Sequence, residues 1–170
     1  MLREIITHRN LLWNLIKRDL RGRYIGSVIG IFWSVINPLL LMLMYIIIFS
    51  VILKVKFGGT GGITNYGLYL FCGMLPWMAF SDAVQRSTTV ILDNANLIKK
   101  VVFPRTVLPC YISLVSFINE LIAAALFLGI LFIMRQPPGA YILGLLVIFP
   151  IQLMFTLGLS LLVSSLNVFF

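Results

Sequence analysis

The sequence predicts an all-α integral membrane protein, with an amphipathic helix at the membrane interface followed by four transmembrane helices. Three observations carry this expectation. Hydrophobic residues make up 61% of the chain and its mean hydropathy is +1.06, beyond the range of soluble domains, in which about half the residues are apolar. Charged residues make up only 11%, against about 25% in a soluble domain. The apolar residues also gather in long runs parted by short polar segments, so lipid must be the solvent for most of this surface.

The elements follow in chain order. Residues 1–23 repeat apolar side chains at helical steps: Leu2, Ile5, Ile6, Leu12, Trp13, Ile16 and Leu20. Arg3, Glu4, Lys17, Arg18 and Arg21 lie mostly off that stripe. A helix with Trp13 on its apolar face and Lys17, Arg18, Arg21 and Arg23 on the other suits a membrane interface. A helix packed into a soluble cap has the same pattern, but here an apolar span follows at once.

The first span is placed at 28–53, within a run from Ile25 to Leu53 that carries no charge. At 1.5 Å per residue this run exceeds the ~30 Å hydrocarbon core. It is too long for a signal-peptide core and has no small-residue cleavage site, so it reads as a retained anchor. Asn37-Pro38 is expected to kink it, and Gly26 and Gly30 form a weak GxxxG packing signal. A flexible loop, Lys54 to Gly67, holds Gly58-Gly59-Thr60-Gly61-Gly62. No Lys-Ser or Lys-Thr pair follows these glycines, so the loop is no P-loop and the chain shows no nucleotide site.

The second span, 66–90, is frankly apolar only to Phe80. Ser81, Asp82, Gln85, Arg86, Ser87, Thr88 and Thr89 follow before the polar stretch Asp93-Asn94-Ala95-Asn96. Asp82 and Arg86 stand one helical turn apart and can pair. A charge at mid-bilayer depth costs at least ~2.5–3.5 kcal/mol. Either this helix turns a polar face to a partner or to water, or Arg86 snorkels at the membrane border with Asp82 neutralising it. Both readings fit the residues.

The third span, 107–134, contains one acid, Glu120, beside Asn119. It can line a polar route or hydrogen-bond to a neighbouring helix. Arg135 to Gly139 is a tight turn with two prolines. The fourth span, 140–166, has no charge, and Pro150 is expected to kink it.

Charge orients these spans. Six lysines and arginines precede the first span, three lie between spans two and three, and three sit on the opposite side. The bias places the N-terminus and the Asp93–Arg105 loop in the cytoplasm. The net charge of +8 is confined to clusters beside apolar runs, so nucleic-acid binding is not expected. Cys72 and Cys110 should fall near opposite faces and not pair, and His8 is the only histidine. Neither a metal site nor a catalytic constellation is expected, since Asp82 and Glu120 have no Ser/His or metal-ligand companions.

Two ordered motifs resemble a known family. Leu15-Ile16-Lys17-Arg18-Asp19-Leu20-Arg21-Gly22-Arg23-Tyr24 leads to Ser27, Gly30, Trp33 and Pro38-Leu39-Leu40. Gly73-Met74-Leu75-Pro76-Trp77 then leads to Asn94-Ala95-Asn96-Leu97-Ile98-Lys99-Lys100-Val101-Val102-Phe103-Pro104-Arg105. Together they resemble the permease subunit of type-2 ABC exporters for O-antigen, capsule or teichoic acid, across essentially the whole chain.

The resemblance implies one transmembrane domain over 1–170, in a bacterial or archaeal cytoplasmic (inner) membrane. It implies two copies forming a channel and a separate ABC ATPase binding ATP and Mg, with no cofactor on this chain. The cargo would be a glycan or lipid-linked glycan; a drug, lipid or other small molecule is the alternative. It implies a coupling helix at Asn94, Asn96, Leu97, Ile98, Lys99, Lys100 and Arg105. Those lysines and Arg105 also fit plain positive-inside anchors. Tyr69, Trp77, Phe80, Asp82, Arg86 and Glu120 are the candidates for a translocation path, although interfacial aromatic belts also account for the three rings. Members of the family carry six spans, so the resemblance predicts that this chain is truncated.

Overall fold

The computed structural model describes residues 9–24, 36, 39–41, 43–45, 47–52, 62–94, 106–133 and 139–169, and every regular element among them is helical. Helix α1 spans Arg9–Tyr24, α2 Gly62–Asp93, α3 Val107–Ile133 and α4 Leu143–Phe169. A π-helical turn, Ile47–Ile52, is what is described of the end of the first apolar run. The expectations for residues 1–8, Gly26, Gly30, Asn37-Pro38, the loop up to Gly61, the 95–105 loop and residues 135–138 of the expected turn lie outside the described residues.

Local chemistry explains the helix bounds. Thr106 precedes α3 where an N-cap belongs, and Pro109 sits in its first turn, where a missing N–H is harmless. Gly139 has φ 60°, a left-handed conformation that glycine adopts without Cβ strain. It opens the 3₁₀ turn Gly139–Ile142 that leads into α4. Helix α2 begins at Gly62, four residues before the expected span and inside the expected glycine loop. Both α2 and α4 continue through an internal proline, Pro76 and Pro150.

Cross-helix contacts fix the arrangement. Asp82 meets Ser116 and Phe71 meets Phe127, so α2 and α3 run antiparallel. Pro76 meets Gln152 and Thr88 meets Asn167, so α2 and α4 run parallel. Helix α3 packs against both and also receives α1. Leu12, Leu15 and Ile16 of α1 pack against Val107, Leu108, Tyr111 and Ile112 at the start of α3 and against Val90 of α2. At the far end Phe71, Leu75, Ala123 and Phe127 form a second, smaller core.

The α1 face differs from expectation at one residue. Trp13 is 52% exposed rather than packed with Leu12 and Ile16. Lys17 stands one turn away, its Nζ 5.3 Å from the indole ring centre, so the two share a face.

Polarity in the bundle is inverted relative to a soluble protein. Helix α4 buries Thr156, Ser160 and Ser164 and exposes Leu146, Ile151, Met154, Phe155 and Leu162. Two described helices, Val107–Ile133 and Leu143–Val168, are long and apolar enough to cross a membrane.

Candidate functional site

The buried polar residues of α2, α3 and α4 form a seam of hydrogen bonds. Apolar surroundings make each unpaired polar group costly, so they pair across helices. The Ser116 hydroxyl donates to Asp82 Oδ2 at 2.6 Å. Gln152 Nε2 donates to Glu120 Oε2 at 2.8 Å and to the Pro76 carbonyl at 3.1 Å, tying three helices through one amide. Asn167 Nδ2 donates to the Thr88 carbonyl at 2.7 Å. Ser113 and Thr88 donate back to the carbonyls of Pro109 and Val84 on their own helices, each at 3.0 Å.

Among the described residues this interior is tightly packed. A cavity of about 10 Å³ lies among Ser113, Glu120, Gln152 and Thr156, room for about one water. Glu120 Oε1 and Gln152 Oε1 are buried there without a hydrogen-bond partner among the described residues. A sugar chain cannot pass between these helices without parting them.

At the α1 end, Arg86 joins two helices. Its Nη2 meets Asp19 Oδ2 of α1 at 2.7 Å, while Nη1 stands 3.7 Å from Asp82 Oδ2 one turn away. The expected Asp82–Arg86 contact therefore exists, but the shorter pair is with Asp19. Both side chains of that pair are less than a third exposed.

The exposed face of α2 has a different character. Tyr69 is 73% exposed and Trp77 64%. Cys72, Gly73, Gln85 and Thr89 are exposed along the same helix, and Gln85 Nε2 donates to Ser81 Oγ at 2.8 Å. Phe80 stacks on Phe155 of α4 at 5.7 Å and lies 5.8 Å from the Trp77 ring.

The candidates named from sequence thus fall into separate places. Tyr69 and Trp77 are on the open face, with Phe80 at its border with α4. Asp82 and Arg86 belong to the ion network beside α1. Glu120 is buried against Gln152, away from the open face. Lys17, Arg18 and Arg21 are exposed on α1, and Arg23 lies in its last turn. Asn94 ends α2, its Nδ2 donating to the Val90 carbonyl at 2.8 Å. Asn96, Leu97, Ile98, Lys99, Lys100 and Arg105 lie outside the described residues. Cys72 and Cys110 are both free thiols.

Sequence reasoning missed Asp19, Ser116, Gln152 and Asn167. For α4 the signal was available: Gln152, Thr156, Ser160 and Ser164 recur every fourth residue in an otherwise apolar helix. For Asp19 it was not, because its partner is 67 residues away.

The family described as ABC-2 type transporter matches residues 10–170. The chain belongs to the ABC-2 type transporter family. Among its relatives, the O-antigen export system permease protein RfbA of Myxococcus xanthus is 34% identical over 170 residues, all of this chain and 63% of the relative. A protein of the same name from Klebsiella pneumoniae is 35% identical over 162 residues, 95% of this chain and 60% of the relative. A further K. pneumoniae protein of that name is 34% identical over the same length. The chain thus spans about three fifths of the length of the curated relatives it matches. This ABC-2 type membership accounts for the motifs that flank α1 and α2.

Proposed function

We propose that this chain is the transmembrane permease subunit of an ABC exporter that moves polysaccharide outward across the cytoplasmic membrane. The cargo class is O-antigen, capsule or teichoic acid, carried on a lipid, and the names of the relatives support the first of these most directly. ATP and Mg are bound by a separate ATPase subunit, and this chain performs no chemistry. It crosses the membrane four times from a cytoplasmic N-terminus.

One observation carries the reading: exposed positions of α2 bear Tyr69, Trp77 and Gln85 beside an interior that is tightly packed among the described residues. Sugars stack on aromatic rings and hydrogen-bond to amides and hydroxyls, so this face suits a glycan. Because the interior holds about one water, the path runs outside the bundle, along α2 faces of two copies. The residues between Asn94 and Thr106 connect α2 to α3 at the end where α1 packs. Asn96, Leu97, Ile98, Lys99, Lys100 and Arg105 there form the ATPase contact, with Lys17, Arg18, Arg21 and Arg23 of α1 on the same cytoplasmic side.

The test is genetic and biochemical together. Deleting the gene should abolish surface glycan, the tagged protein should bring down a distinct ATPase, and Lys99→Glu with Lys100→Glu should weaken that association. A protein that inserts stably, binds no ATPase and leaves surface glycan intact when deleted would sink the proposal.

A further inference from the structure

A groove opens where α1, the last turns of α2 and the first turns of α3 meet. Arg18, Arg86, Thr89, Asp93, Asn94 and Tyr111 line it, and it encloses about 260 Å³. One water needs roughly 10–15 Å³ on this measure, so the groove accommodates a polyatomic ligand. Val90 and Ile112 supply its apolar lining.

The uncommitted hydrogen-bonding groups here are of two kinds. Among the donors, Arg18 is exposed and has no acid paired with it among the described residues. Arg86 Nη1 is buried 3.7 Å from Asp82, so Arg86 gives the groove its charge rather than a donor. Tyr111 is 6% exposed and lies within electrostatic reach of Asp19, Arg86, Arg18 and Asp93. Among the acceptors, Asp93 is exposed and has no ion-pair partner among the described residues. Asn94 spends its Nδ2 on the Val90 carbonyl, which leaves Oδ1 to accept. Asp19 is already held by Arg86 Nη2.

We propose that this groove binds the head group of a zwitterionic phospholipid that carries a primary amine. Its phosphate is held by Arg18 and the Tyr111 hydroxyl, with the positive charge of Arg86 behind them. Its ammonium donates to Asp93 and Asn94 Oδ1. A purely anionic group would satisfy the arginines but set a negative charge against Asp93. A quaternary ammonium brings no N–H for Asp93 and Asn94 to accept. The location agrees: α1 exposes Trp13 and Lys17 beside the groove, and an amphipathic helix of this kind lies at head-group depth. The inference rests on α1 lying at the membrane interface and is independent of the cargo.

Native mass spectrometry of the intact protein in its membrane assembly tests this. After delipidation it is offered phosphatidylethanolamine, phosphatidylcholine and phosphatidylglycerol in equal amounts. The wild type should retain phosphatidylethanolamine over phosphatidylcholine by about tenfold, the scale of one charge-assisted hydrogen bond. Asp93→Asn should remove that discrimination while keeping phospholipid bound, and Arg18→Gln should weaken all three lipids. Both residues are exposed and outside the packed core, so the variants should fold; size-exclusion behaviour checks this. Equal retention of all three lipids, a preference for phosphatidylglycerol, or an unchanged preference in Asp93→Asn each overturns the proposal. Binding is read without transport, so a protein that selects phosphatidylethanolamine yet exports nothing would refute only the export reading.

Discussion

Helices α2 and α4 run parallel and both present an exposed face, yet the two faces are chemically unlike. On α4 the open side is largely apolar, with Leu146, Ile151, Met154, Phe155 and Leu162, while Thr156, Ser160 and Ser164 are buried. On α2 the open side carries Tyr69, Cys72, Trp77 and Gln85. A face that meets lipid has no use for amides and hydroxyls, and a face that meets a glycan or water has little use for leucine. The contrast teaches that exposure alone does not define an environment here. We propose that α4 turns outward to lipid or apolar helix and that α2 turns to the translocation path.

The largest expected effect comes from placing a charge on each face. Ile151→Asp on α4 should cost about 2.5–3.5 kcal/mol of insertion free energy and sharply reduce the amount of protein in the membrane. Cys72→Asp on α2 should be inserted at near wild-type levels. Membrane-fraction immunoblots compare the two, and equal loss would break the distinction.

Next in size is the anchor that fixes the polar side of α2. Arg86→Ala removes the partner of Asp19 at 2.7 Å and of Asp82 at 3.7 Å. The loss should lower stability by about 1–3 kcal/mol, the cost of a polar group left unsatisfied, read as a shift in the unfolding midpoint in detergent. No shift would mean that solvent already screens the pair.

How much of this was legible in the sequence differs by level. The helical class and the two charge-free or nearly charge-free helices, Val107–Ile133 and Leu143–Phe169, follow from composition and spacing. The site was only partly legible. Trp77 and Asp82 could be picked out by residue type in an apolar segment, but whether each faces in or out depends on neighbours that periodicity does not name. Trp13 illustrates this. Its apolar bulk placed it with Leu12 and Ile16, whereas Lys17 one turn on draws it to the open side. Asp19 and Gln152 matter through partners on other helices, and long-range pairing leaves no mark in local sequence.

A smaller effect should separate the large exposed side chains of the two faces. Trp77→Ala should reduce glycan export about 2- to 10-fold at unchanged protein level, matching the ~0.5–1.5 kcal/mol of an aromatic stack. Met154→Ala, 75% exposed on α4, should leave export unchanged. Smaller still is Gln152→Leu, which leaves Glu120 Oε2 without its 2.8 Å donor and should cost about 1 kcal/mol of stability.

The most direct measurement of the central contrast is thiol accessibility. Cys72 is exposed on α2 and Cys110 is buried, so a Cys110→Ala background leaves one native reporter. In membranes, a charged and impermeant maleimide should label Cys72, while a single cysteine placed at Leu146 or Ile151 of α4 in a Cys72→Ala, Cys110→Ala background should stay unlabelled. A silent Cys72, or equal labelling on both helices, would contradict the assignment of the α2 face to the translocation path.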